Sequence, residues 1–136
     1  MSYAMAAALQ TTVYAALTGW SALDGVAVFD ALPEGATPET YVLIGAEDVR
    51  DASDKTGAGA EHRITVSVIS AAAGFSAAKA IAGAVCDALA ATGGAMARGR
   101  IVGVGFLRAR ARRTADGRRI DLSFRARLED DDNSET

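Results

Sequence analysis

The residue types that could do chemistry are few in this chain, and their spacing does not suit it. His62 is the only histidine and Cys86 the only cysteine. Nucleophilic catalysis needs a base within hydrogen-bond reach of a serine or thiol and a third group to orient that base. Nothing in the spacing brings His62 to such a partner, so it reads as a structural histidine at a strand edge. Cys86 reads as a small hydrophobe, buried or half-buried, on a helix. Gly103-Val104-Gly105 opens like a dinucleotide fingerprint, but Arg108 replaces the third glycine and the segment continues as a strand. Lys55-Thr56 lacks the glycines of a phosphate loop. Asp48, Asp51 and Asp54 recur at a regular interval without the surroundings of a calcium loop, and read as a solvated acidic segment. No catalytic residue, metal or cofactor is expected, and the chain is not expected to be an enzyme.

Charge is the stronger signal. The net value is only −3, but it is unevenly spread. Residues 1–97 carry four basic and ten acidic side chains, residues 98–127 carry ten arginines against Asp116 and Asp121, and residues 128–136 carry five acids. A basic segment in an otherwise acidic chain suits head-to-tail self-association or contact with a polyanion.

These charges must be positioned by ordinary elements. Residues 3–18 place Met5, Leu9, Val13 and Leu17 on one helical face, with Ser2 as a cap and Gly19 as terminator. Two short runs of strand formers follow, residues 25–29 and 40–45, separated by a segment with Pro33 and Pro38. The polar stretch from Glu47 to Glu61 should begin as strand and continue as a loop. Residues 63–70 alternate Ile64, Val66 and Val68 against Thr65, Ser67 and Ile69, a strand buried on one face. Residues 76–91 form a second helix, capped by Ser76 and stopped by Gly93-Gly94, whose stripe of Ala77, Ile81, Ala84, Val85, Ala88 and Leu89 lets it lie close on a sheet.

The chain should end in a long hairpin, residues 100–114 and 118–128, turning at Asp116-Gly117. Pairing outward from Ala115 and Arg118 sets Ala111, Ala109 and Leu107 opposite Leu122, Phe124 and Ala126. The other face then pairs Arg112 with Asp121, Arg110 with Ser123 and Arg108 with Arg125, with Arg127 alongside. The order α-β-β-β-α-β-β implies an α+β domain, an antiparallel sheet with two helices packed on one face. One domain over residues 1–128 and a disordered acidic tail over 129–136 are expected. Half the residues are apolar but only 6% are aromatic, so the core is thin and burial against other subunits would help it. No run is long and apolar enough to cross a bilayer, and Met1-Ser2-Tyr3-Ala4 lacks the basic opening of a secretory signal, so a soluble, cytosolic protein is expected.

Four segments, in this order and spacing, resemble the tail terminator or tail-completion proteins of long-tailed phages and alphaproteobacterial gene transfer agents. They are the leading helix with Leu9, Val13, Tyr14 and Leu17; Val28-Phe29-Asp30-Ala31-Leu32-Pro33 with Tyr41-Val42-Leu43-Ile44-Gly45; Asp54-Lys55-Thr56 with Gly59-Ala60-Glu61-His62; and Val66-Ser67-Val68-Ile69-Ser70 ahead of Gly74, Ala78-Lys79 and Ile81. The resemblance covers most of residues 3–90. It implies a virion structural protein that forms a hexameric ring, stops the tail tube and joins it to the head-side connector at the head–tail junction. Its partners would be copies of itself, the major tail tube protein and the connector or stopper, with DNA passing through the channel without sequence-specific binding.

Two blocks are then expected at the subunit interface: Arg108, Arg110, Arg112, Arg125 and Arg127 on the hairpin, and Glu47, Asp48, Asp51 and Asp54 on the acidic segment. The rival reading is a small nucleic-acid-binding module using the arginine-rich hairpin. The acidic balance of the whole chain and the lack of aromatics among the arginines weigh against it.

Overall fold

The computed structural model describes residues 3–53, 58–72, 74–115 and 117–131. Helix α1 (Ala6–Thr18) leads through a short 3-10 turn (Ser21–Leu23) into strand β1 (Ala27–Phe29) and then β2 (Thr40–Asp51) and β3 (Gly59–Ser70). Helix α2 (Ser76–Ala90), a two-residue strand β4 (Gly94–Ala95), β5 (Arg100–Thr114) and β6 (Gly117–Glu129) complete the chain. The six strands form one sheet in the order β1-β2-β3-β6-β5-β4. This is the α+β arrangement that the element order implied.

One pairing departs from an all-antiparallel sheet: β1 runs parallel to β2, with Val28 beside Val42. The segment between them carries Pro33 and Pro38 and is no tight turn. Only a tight turn obliges successive strands to run in opposite directions.

The core forms between one face of the sheet and the two helices. Val42, Val66, Val68, Leu89, Leu128 and Phe124 are among its fully buried members, with Leu9 and Leu17 of α1. β3 alternates as its sequence does, since Ile64, Val66 and Val68 are buried while Arg63, Thr65 and Ile69 are only partly covered. In α2 the inward stripe is turned slightly from expectation: Ala78 and Ala82 are inside with Ala84, Val85, Ala88 and Leu89, whereas Ala77 is exposed. Small side chains on that stripe allow the close approach to the sheet, and a stripe of alanines carries little bulk to set its own rotation. Neither helix has a side-chain cap; Met5 and Phe75 occupy the N-cap positions. Ser2, expected as a cap, lies outside the described residues, and Ser76 is the first residue of α2.

The hairpin corrects the expected register. Thr114 pairs with Gly117, so Ala111 stands opposite Ile120, Ala109 opposite Leu122, Arg110 opposite Asp121 and Arg112 opposite Arg119. The physical reason lies at Gly117, which has φ 144° and whose missing Cβ would strike the Ser70 carbonyl oxygen and Ala71. Both its backbone conformation and its close approach to the end of β3 call for glycine here. A slip of two residues keeps each side chain on its face, because strand faces alternate with period two.

A second correction comes at the register shift between Phe106 and Arg108. Phe124, expected opposite Ala109, meets Phe106 instead, ring edge to face at 5.9 Å, and Leu107 is not opposite Ala126, whose partner is Val104. Arg108 is opposite Ser123, and Arg125 is opposite Gly105. The like-charge pair of Arg108 and Arg125 is therefore not formed, and glycine leaves room beside Arg125 instead.

Candidate functional interface

His62 is the first residue to place, because it is the one histidine of the sequence. It is fully buried in β3, which lies between β2 and β6, so it is structural but not at a strand edge. Its Nδ1 is 2.8 Å from Glu47 Oε2, and a carboxylate can only accept, so the ring donates. Tyr3 donates its hydroxyl to the other oxygen of Glu47 at 2.6 Å. That hydrogen bond, and then the charge of Glu47, push the Tyr3 hydroxyl above its ordinary value. His62 Nε2 is buried with no hydrogen-bond partner among the described residues. Among the described residues no serine or thiol is hydrogen-bonded to the ring, and the cluster ties the start of α1 to the sheet. Burial, then the nearby Asp87, push the Cys86 thiol up, which disfavours the reactive thiolate. Among the described residues no group of three or more His, Cys, Asp or Glu is set to hold a metal.

The helix-free face of the sheet carries the charge. Strand alternation puts Arg108, Arg110 and Arg112 of β5 on it with Arg119, Asp121, Ser123, Arg125 and Arg127 of β6 and Glu61, Arg63 and Thr65 of β3. Part of this face is internally paired. Asp121 accepts from Ser67 at 2.6 Å and from Arg119 at 2.9 Å, with Arg112 at 3.6 Å. Burial alone would raise the Asp121 carboxyl, but the bonds from Ser67 and Arg119 and the charges of Arg119 and Arg112 outweigh it and hold it below its ordinary value. Glu61 meets Arg63 at 2.9 Å and Arg125 at 3.9 Å. Arg127 donates to the Ala52 carbonyl at 2.7 Å. Arg108 and Arg110 are exposed and have no carboxylate partner among the described residues.

The expected acids are divided. Asp48 pairs across from Arg63 and so shares the arginine face, with the Arg50 guanidinium 4.0 Å away. Glu47 points to the helix side and is held by His62 and Tyr3. Asp51 accepts from the Ser53 hydroxyl at 2.7 Å and from its amide at 3.1 Å, bonds that lower its carboxyl. Asp54 lies outside the described residues. At the far end Arg98 binds Asp130 through two nitrogens at 2.9 and 2.8 Å, and Arg100 meets Glu129 at 2.8 Å. Two acids of the expected tail are thus held by arginines, and residues 132–136 lie outside the described residues.

Sequence reasoning missed a shape. β2 has a register shift between Ile44 and Glu47, and β5 has one between Phe106 and Arg108. Through the pairings of β3 and β6 both fall at the level of Thr65 and Ser123. Such irregularities bend strands, and between these two lies a cleft of about 340 Å³ lined by Ala46, Asp48, Arg63, Thr65, Leu107 and Arg108 among others. Leu107 turns to this arginine side. The only hint in the sequence is glycine on the strands, at Gly45, Gly103 and Gly105.

Comparison with known proteins gives two findings. The family model described as "Tail completion protein gp17" matches residues 6–129. A solved chain from "Virion of native gene transfer agent (GTA) particle" is 57% identical, with a TM-score of 0.84, covering 94% of this chain and 99% of that one. No curated protein matches.

Proposed function

This chain belongs to the tail completion protein family, a structural and non-enzymatic one, and from that premise we propose that it forms a closed ring of identical subunits in a virion-type particle. The ring, a hexamer on the family's pattern, caps the tail tube, ends its growth and joins it to the head-side connector. Family membership carries the reading. Arg108 and Arg110, exposed and without a carboxylate partner among the described residues, support its interface, since a basic strand at one sheet edge and an acidic one at the other suit head-to-tail contacts, which make a ring where the rotation closes.

Arg108, Arg110, Arg112, Arg125 and Arg127 form the basic side of the contact. Asp48 is the principal acid on the other side, with Asp51 and Asp54 beside it, and Glu47 acts by holding that strand in place. Exposed ion pairs contribute only ~0–1 kcal/mol each, so apolar contact supplies most of the affinity and charge sets orientation. Arg110→Glu should impair assembly in a mass measurement, and adding Asp48→Arg should restore part of it. If Arg110→Glu with Arg112→Glu leaves assembly and tail length unchanged, the arginines serve another surface, the DNA channel being the candidate.

A further inference from the structure

We propose that neighbouring copies join by strand pairing, the free edge of β5 in one copy adding to the free edge of β2 in the next. This rests on the ring reading above and names the contact that closes it. The occupant of each edge is a second copy of this chain.

The sheet leaves two long edges open. β1 covers β2 only at Tyr41, Val42 and Leu43, and β4 covers β5 only at Arg100 and Ile101. Beyond these, residues 44–51 of β2 and 102–114 of β5 have no strand on their outer side among the described residues. No other backbone hydrogen bond among the described residues reaches them there. An edge of this kind is a template for another strand.

Direction and height both suit the join. β2, β3, β6 and β5 alternate in direction, so β2 and β5 run oppositely. A copy turned about a ring axis, with the same face inward, therefore presents its β2 antiparallel to β5 and the alternation continues. Following the pairings across the sheet, Ile44 is level with Val66, Leu122 and Ala109, and Asp51 with Ala60, Leu128 and Ile101. The open part of β2 thus lies at the height of residues 101–109, most of which are open. Phe106, 54% exposed, is level with Glu47 through Phe124 and Ile64, and the incoming strand would cover it.

Charge selects which edges meet. The open stretch of β5 carries Arg108, Arg110, Arg112 and Arg113 and no acid, while that of β2 carries Glu47, Asp48 and Asp51 against Arg50. At equal height only Arg108 stands beside these acids, and Arg110, Arg112 and Arg113 are level with residues 40–43, so the charges act between whole edges rather than as residue pairs. Two β5 edges would set arginine against arginine, so like edges repel and unlike edges attract. That asymmetry favours a ring over a two-fold pair.

Hydrogen exchange read by mass spectrometry, on the full chain as ring and as dissociated subunit, tests this. Assembly should slow amide exchange about ten-fold or more in both residues 44–51 and 102–109, while β3 and β6, paired on both sides already, change little. If the ring forms and either edge exchanges as fast as in the subunit, edge pairing is wrong and the ring reading stands. Protection of one edge only on adding tail tubes also overturns it, because that edge would then take a different strand. If no ring forms alone or on tubes, the ring reading fails and this proposal with it.

Discussion

His62 and Glu47 are fifteen residues apart in the chain, yet their side chains meet at 2.8 Å between Nδ1 and Oε2. The pair links two strands on the helix side of the sheet, and Tyr3 extends it to the start of α1. It satisfies a buried ring nitrogen that water cannot reach.

Removing the acceptor should therefore cost more than losing a surface carboxylate. Glu47→Ala leaves His62 Nδ1 buried and unpaired, and stability should fall by about 1–3 kcal/mol. Glu47→Gln keeps an acceptor and should lose less. Urea unfolding followed by circular dichroism checks both, and a Glu47→Ala midpoint equal to that of the parent would show the pair to be idle.

Gly117 is required both by its backbone, at φ 144°, and by its neighbours. Adding a methyl group there drives it into the Ser70 carbonyl and the Ala71 backbone, so Gly117→Ala should destabilise by about 1–3 kcal/mol. Gly103, where an added Cβ meets nothing within 4 Å, is the control, and Gly103→Ala should stay within about 0.5 kcal/mol of the parent. Equal midpoints for the two variants would refute the packing argument.

Asp121 should make the sheet sensitive to acid. Its carboxyl is held below the ordinary 3.8. The stability this lends is therefore present above that value and lost as pH falls through the lowered one. Asp121→Asn cannot titrate, so its deficit relative to the parent should shrink between about pH 6 and about pH 3. Unfolding curves across that range decide the matter, and a deficit that stays constant with pH would mean the carboxylate is not the source.

What was legible in the residues was whatever depends on local periodicity. The two helices, β3 and both strands of the hairpin follow from apolar spacing, and the arginine face survived a wrong register because a slip of two residues leaves every side chain on its side. The succession of segments from the leading helix through β3 was enough to point to the tail-completion family. The tertiary structure alone decided the rest. The parallel placement of β1 depends on how a proline-bearing segment crosses the sheet, and Leu107 leaves the apolar face because Phe106 finds Phe124. His62 acquires its partner from Glu47 on the neighbouring strand rather than from adjacent Glu61, since alternate residues of a strand point to opposite faces. Asp48 joins the arginines while Glu47 does not, for the same reason: strand pairing sets which face each acid occupies, and the composition of the segment does not.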